Sequence, residues 1–329
     1  MTLVGWSSVP LFLKHFSHTI DAWTSNGWRY GFSALLWAPV LVVGLARKTL
    51  PSGLWKAAIL PAVLNSLGQT CFAWAHYKID PGLLTFGLRL QIVFVSVGAF
   101  LLFPGERRVI RNPWFVVGAC MVLSGTLAIV SLAKVETAEG PSDASVPVLA
   151  QSGEAAMPAS GTGEHALGVG LAIASGLLFA AYALSVRRNM HAIPSVTAFA
   201  VISQYTAAAM VVLMLVLSAD HGAGAWELSN GQLALLLLSA IIGIALGHVF
   251  YYASIARLGV AVSSGVVQLQ PIIVTGASSV IFGERLSTAQ LVFGVLAICG
   301  AGVMLSVQHR LARRDARARE LEAQTAEQA

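Results

Sequence analysis

The sequence predicts an all-α membrane protein of ten transmembrane helices, arranged as two inverted five-helix repeats. Three observations lead there. Of 329 residues, 56% are hydrophobic and only 11% are charged, with mean hydropathy +0.74, whereas soluble domains carry about 25% charged residues. Apolar runs bounded by charges or turn residues recur along the whole length, and about 20 apolar residues suffice for one span. A low-complexity segment divides these runs five and five. Such a chain has no room for a large soluble catalytic domain.

The runs fall at about 1–13, 27–46, 54–77, 81–103, 113–132, 167–185, 196–218, 231–254, 260–282 and 289–307. The first, Met1 to Leu13, lacks the basic n-region and small-residue cleavage site of a signal peptide and reads as a first helix cut short at its beginning. Residues 1–132 form the first repeat and residues 167–307 the second. Between them, residues 133–166 are rich in Gly, Ser, Pro and Ala and acidic in balance, a composition unable to bury enough apolar surface to order itself. Residues 308–329 are a charged tail with the composition of a solvated or membrane-surface helix.

The net charge is +5, but the basic residues sit in small clusters between apolar runs, as the positive-inside rule requires. A nucleic-acid partner is excluded on that pattern. Fourteen Lys and Arg residues fall in the loops on one side together with the tail, among them Arg47, Arg107, Arg187 and Arg257; only Lys14, Lys78, Lys134 and Arg285 fall on the other. Both termini are therefore expected in the cytoplasm, with the 133–166 linker outside a cytoplasmic (cell) membrane crossed many times. Cys71, Cys120 and Cys299 lie in apolar runs without metal or redox spacing. No cofactor or metal is expected.

Self-comparison aligns Leu88–Arg108 with Val267–Leu286 at a constant shift of 179 until the extra Pro104, and the same shift pairs Leu67 and Gly68 with Leu246 and Gly247. Both segments end in Phe-(Pro)-Gly-Glu-Arg. An odd number of spans per repeat makes the second enter the membrane inverted, an architecture of transporters whose substrate site lies near the midplane between the halves.

Ionisable groups inside spans are costly and point to function. Arg89 lies about 12 Å into the fourth span at about 1.5 Å per residue, too deep to snorkel easily. Helical spacing puts Thr85, Arg89 and Ser96 on one face, and their repeat equivalents are Ser264, Gln268 and Thr275. Arg89 and Gln268 are thus the leading substrate-binding candidates, with Thr85 and Ser264 on the same stripes. Asn65 and Gln69 of the third span and His248 and Tyr252 of the eighth complete the expected cavity, Gln69 and His248 being repeat equivalents. Arg89 would hold a carboxylate while the amides and the Tyr252 hydroxyl orient the substrate. The bland alternative makes Arg89 a ligand of helix carbonyls and His248 and the tyrosines packing residues.

Gln91 and Gln270 face away from the stripe and read as interhelical hydrogen-bonding groups. Arg29, at the outer end of the second span where snorkelling is easy, reads as structural or gating, as do Pro271 and the turn residues Glu106 and Glu284. Gly243-x-x-x-Gly247 reads as a close-packing pattern. No Asp or Glu lies within a span, so proton coupling through a carboxylate is not expected; His76 and His248 remain available for it.

Trp6 followed by small residues, Arg29 heading the second span, Gln270-Pro271 in the ninth and Gly-Glu-Arg closing the fourth and ninth resemble the EamA family of the drug/metabolite transporter (DMT) superfamily. Ile92, standing where the second repeat has Pro271, departs from the pattern. The resemblance implies export or exchange of small metabolites, often amino acids. The partners expected are a small-molecule substrate and the lipid bilayer, and a homodimer is left open. The function expected is alternating-access transport of a small polar metabolite such as an amino acid or organic anion. A nucleotide-sugar or phosphorylated-metabolite exchanger is the alternative, for which one buried Arg is little positive charge. An integral-membrane enzyme would need paired carboxylates, HExxH, GxSxG or a Cys/His dyad, none of which appears. A non-transporting receptor would have no use for inverted repeats.

Overall fold

The computed structural model describes residues 1–16, 19–76, 88, 91–138, 162–270, 272–274, 276–277 and 288–328. Every regular element among them is helical: α1 (Thr2–Phe16), α2 (Ala22–Ala46), α3 (Leu54–His76), α4 (Gln91–Leu102), α5 (Pro104–Ile110), α6 (Pro113–Ala138), α7 (Thr162–Asn189), α8 (Ser195–Leu217), a 3₁₀ turn (Ala223–Glu227), α9 (Asn230–Ser239), a π-helical segment (Ala240–Leu246), α10 (Gly247–Leu258), α11 (Val260–Val267) and α12 (Thr288–Gln328). Five stretches are long and apolar enough to cross a membrane: Ala22–Ala46, Ala166–Asn189, Ser195–Leu217, Asn230–Leu258 and Leu291–Arg314. Shorter apolar helices accompany them, so the chain is a multi-pass membrane protein, with ten crossings left as an expectation.

Helix packing follows the repeat. α2 packs along α8, α6 along α12, and α4 against α11, each the pairing of one helix with its counterpart from the other half. Two further contacts are reciprocal, α3 lying along α7 and α1 against the α9 to α10 run, while α3 also touches α8 and α4 also touches α7. An approximate two-fold axis between the halves produces this set of pairs and no simple side-by-side arrangement of two separate bundles does.

Close approach rests on small residues, as expected where lipid removes most of the hydrophobic drive for helix association. Between α6 and α12, a Cβ on Gly118 would meet the Gly300 carbonyl oxygen at 2.6 Å, and one on Gly125 would meet the Phe293 carbonyl at 2.6 Å. Gly243 and Gly247 do pack against a helix, as their spacing predicts: a Cβ on Gly243 would lie 2.4 Å from Val9, and one on Gly247 would lie 2.7 Å from the Trp6 Nε1.

Local signals set the helix ends. Asp21 caps α2, its Oδ1 accepting from the Trp23 and Thr24 N–H groups at 2.8 and 3.0 Å. Ser229 and Gln232 form a capping box at the start of α9. At the end where α2 starts, Ser218 and Thr24 tie Asp21 to Asp220, and the Trp28 indole donates to the Gly222 carbonyl at 2.9 Å.

Several boundaries differ from expectation. Helix α6 runs to Ala138 and α7 starts at Thr162, so the helices extend into both ends of the 133–166 segment assigned to the linker. The charged tail continues the last span as one helix through Gln328. The eighth span is not a plain α-helix, since its middle is wound as a π-helix, a form found mostly at functional sites.

Candidate functional site

The two halves meet around a buried polar and aromatic cluster supplied by α1, α2, α3, α7, α8, α10 and α11. His248 is its centre. The imidazole stacks on Phe199 at 5.1 Å and 18°, and meets Trp6 edge-on at 5.2 Å and Tyr252 at 6.5 Å. Its Nδ1 lies 3.0 Å from the Ile244 carbonyl oxygen. A carbonyl only accepts, so in the neutral ring Nδ1 carries the hydrogen and Nε2 is the acceptor.

Around the histidine, the Tyr182 and Tyr252 hydroxyls are in direct hydrogen-bond contact, and Tyr251 shares a hydrogen bond with Ser264 at 2.7 Å. On the side of the first repeat, buried Tyr30 of α2 lies near Asn65 and Gln69 of α3. Asn65 donates across the halves to the Thr206 hydroxyl at 3.3 Å, while its Oδ1 has no partner among the described residues. Asn65, Tyr30, Tyr182, Tyr251, Tyr252, His248 and Ser264 are all buried.

Helix α11 ends at Val267, and the chain turns at Gln268 and Leu269 before Pro271. Gln268 is 2% exposed at this break, its N–H reaching back to the Gly265 carbonyl at 3.2 Å in a tight turn. A helix interrupted inside the bundle frees backbone polar groups where a carrier needs them. Gln270 donates to the Trp6 carbonyl oxygen at 2.9 Å, an interhelical bond of the kind its position predicts.

Of the residues singled out in the sequence, Asn65, Gln69, His248, Tyr252, Ser264 and Gln268 lie in this interior, with Gln69 half-buried at its edge. Gln91 is half-buried at the start of α4. Arg89, Thr85, Pro271 and Glu284 lie outside the described residues, as does the His76 side chain. Tyr30, Tyr182, Phe199 and Thr206 were not anticipated; tyrosines in mid-span, away from the interfacial belts where they normally anchor, were the signal available.

Two expectations change. Arg29 does not snorkel: it is 3% exposed, two turns into α2, enclosed by α1 and the π segment. Glu106 does more than hold its own turn. From α5 its carboxylate accepts from the Val260 and Ala261 N–H groups at the start of α11 and pairs with Arg187 of α7 at 3.4 Å. It thereby joins the first repeat to two elements of the second. Close to it, a shallow cleft lined by Arg187, His191, Ser195 and Ala256 leads down to Tyr252.

No group of three or more His, Cys, Asp or Glu side chains that could hold a metal occurs among the described residues. A crystal structure described only as "Crystal structure of protein" is similar at 18% identity with TM-score 0.71, over 94% of this chain and 96% of that one; at that identity it shares the fold alone. No curated protein matches. The EamA-like transporter family matches residues 1–131 and 166–306, two stretches that coincide with the two repeats and leave out most of the linker and the charged tail. The chain therefore belongs to the EamA-like transporter family.

Proposed function

We propose that this chain is a secondary carrier, an exporter or exchanger, of a small polar metabolite such as an amino acid or organic anion, working by alternating access in the cytoplasmic membrane. The observation that carries the reading is the buried cluster around His248, to which both repeats contribute hydroxyls, amides and aromatic faces beside a helix broken at Gln268. Buried polar groups cost free energy unless paired, and a site shared by two halves related by a two-fold axis is the arrangement that rocking can expose to either side in turn. Aromatic faces supply area for an apolar part or an ammonium, and the amides and hydroxyls orient polar groups. Arg89, repeat equivalent of Gln268, is assigned the substrate's anionic group, and both termini are assigned to the cytoplasm.

The test is counterflow and efflux of a labelled panel of amino acids, organic acids, amines and nucleotide sugars in proteoliposomes of the purified chain. Saturable exchange of one amino acid or organic acid class is expected. Exchange confined to nucleotide sugars would replace the reading with the phosphorylated-metabolite alternative.

A further inference from the structure

The polar face of α2 presents a row of donors that bind nothing among the described residues. Ser25, Arg29, Ser33 and Trp37 follow one another at four-residue spacing, so they lie along one face of the helix over about 18 Å at 1.5 Å per residue. The Oγ of Ser25, the Nε and Nη2 of Arg29, the Oγ of Ser33 and the Nε1 of Trp37 are all buried and have no hydrogen-bond partner among the described residues. Serines inside helices normally return their hydroxyl to a carbonyl one turn back. Ser7, Ser124, Ser185, Ser203 and Ser239 do so in this protein. Ser25 and Ser33 do not, although both flank the guanidinium by one turn.

The two orphan atoms of Arg29 are the informative pair. Nε–H and the adjacent Nη2–H point the same way and form one of the two edges by which a guanidinium grips both oxygens of a carboxylate. Opposite them the wall is bare: Gly243 of the π segment leaves its would-be Cβ position 3.5 Å from Nη2. No described carboxylate pairs with Arg29. A charge so enclosed requires acceptors.

We infer that Arg29, flanked by Ser25 and Ser33, is a carboxylate-binding subsite between α2, α1 and the π segment, distinct from the cluster around His248. It rests on the transport reading in one respect, that the carboxylate belongs to the transported molecule, for which Arg29 is a second station beside the one assigned to Arg89. The subsite favours a carboxylate over a spherical anion because the free edge offers two parallel N–H bonds.

The test uses the full chain in nanodiscs, with sodium acetate and sodium benzoate as probes, sodium chloride at equal ionic strength, and propylamine as a cation control. Tryptophan fluorescence, with Trp28 and Trp37 on the same helix, and thermal midpoint report binding. The carboxylates are expected to shift both signals saturably, chloride and propylamine not. Arg29→Lys keeps the charge but loses the fork, and should weaken the carboxylates at least tenfold while the protein stays folded and monodisperse; Ser25→Ala should weaken them a few-fold. Unchanged carboxylate affinity in Arg29→Lys, or chloride acting as strongly as benzoate, would overturn the subsite. Carboxylate binding that depends on Arg29 without exchange of any panel compound would sink the transport reading and leave the subsite standing. Exchange that continues unchanged in Arg29→Lys would do the reverse.

Discussion

Both oxygens of the Glu106 carboxylate lie 3.1 Å from the backbone nitrogen of Val260, the first residue of a helix in the opposite repeat. The carboxylate thus sits at the positive end of α11, with Arg187 completing its shell. Gly259, at φ 83°, makes the approach geometrically open, for a Cβ there would be 2.8 Å from the carboxylate carbon. Glu106→Ala should lower stability by about 2 kcal/mol, and Glu106→Gln by about 1 kcal/mol, from lost charge-assisted hydrogen bonds. Gly259→Ala should destabilise through both the clash and the left-handed backbone. Thermal melts in detergent check all three. Because the carboxylate is occupied by main-chain donors, Glu106→Gln should leave the response of transport to a pH gradient unchanged. Loss of that response with transport otherwise intact would show that Glu106 carries the proton.

Arg89 and Gln268 are expected to act as a repeat-related pair toward substrate. Arg89→Gln should sharply weaken binding of an anionic or zwitterionic substrate, Arg89→Lys should restore it only in part, and Gln268→Ala should cost on the order of 1 kcal/mol. Equilibrium binding on monodisperse protein measures this. A stable Arg89→Gln protein with unchanged affinity refutes the assignment.

Gly243 lies between Val9 and the Arg29 guanidinium. Gly243→Ala forces α1 away from the π segment, because the new Cβ would overlap Val9 at 2.4 Å. The expected loss is about 1 to 3 kcal/mol, with partial rescue by Val9→Ala. Equal damage from Gly243→Ala in the presence and absence of Val9→Ala would place the strain elsewhere.

Asp220 accepts hydrogen bonds from Ser218, Gly222 and Gly224, which hold its carboxyl below the ordinary 3.8. A depressed folded value means the contribution is complete above the unfolded value and is lost as pH falls through the folded one. The 218–224 turn should therefore keep its amide protection from neutral pH down to about 4 and lose it only below, as hydrogen exchange would record. Asp220→Asn should show the loosened turn at neutral pH.

Topology has its own test. After Cys71, Cys120 and Cys299 are replaced, Ala150→Cys should react with an impermeant maleimide added outside intact cells. Labelling from the cytoplasmic side alone would reverse the orientation read from the basic residues.

The sequence carried the large-scale architecture well because membrane insertion is governed by local apolar length, and because the Gly-Glu-Arg ending marks equivalent points in each half. Interior candidates such as Asn65, His248 and Tyr252 were legible for a similar reason, since a polar group in a span has few places to go. What escaped depends on contacts between distant segments. Depth along α2 placed Arg29 near an end, but only the packing of α1 and the π segment decides that it cannot reach solvent. The stretch Ala240–Leu246 reads as ordinary apolar helix, and nothing in it announces the wider winding. Glu106 looked like part of a turn because its partners lie 154 and 155 positions away.

The packing of first-half helices onto second-half helices bears on biogenesis. When the ribosome has delivered α1 to α6, none of α2, α3, α4 or α6 has yet met its principal neighbour, because α2 packs mainly on α8, α3 and α4 on α7, and α6 on α12. The first half must therefore wait in the bilayer, its glycine-lined seams open, until the final span arrives to close against α6. A nascent chain stalled before α12 would expose Gly118 and Gly125 to quality control, and a separately synthesised second half, supplied in the same membrane, should be able to complete it.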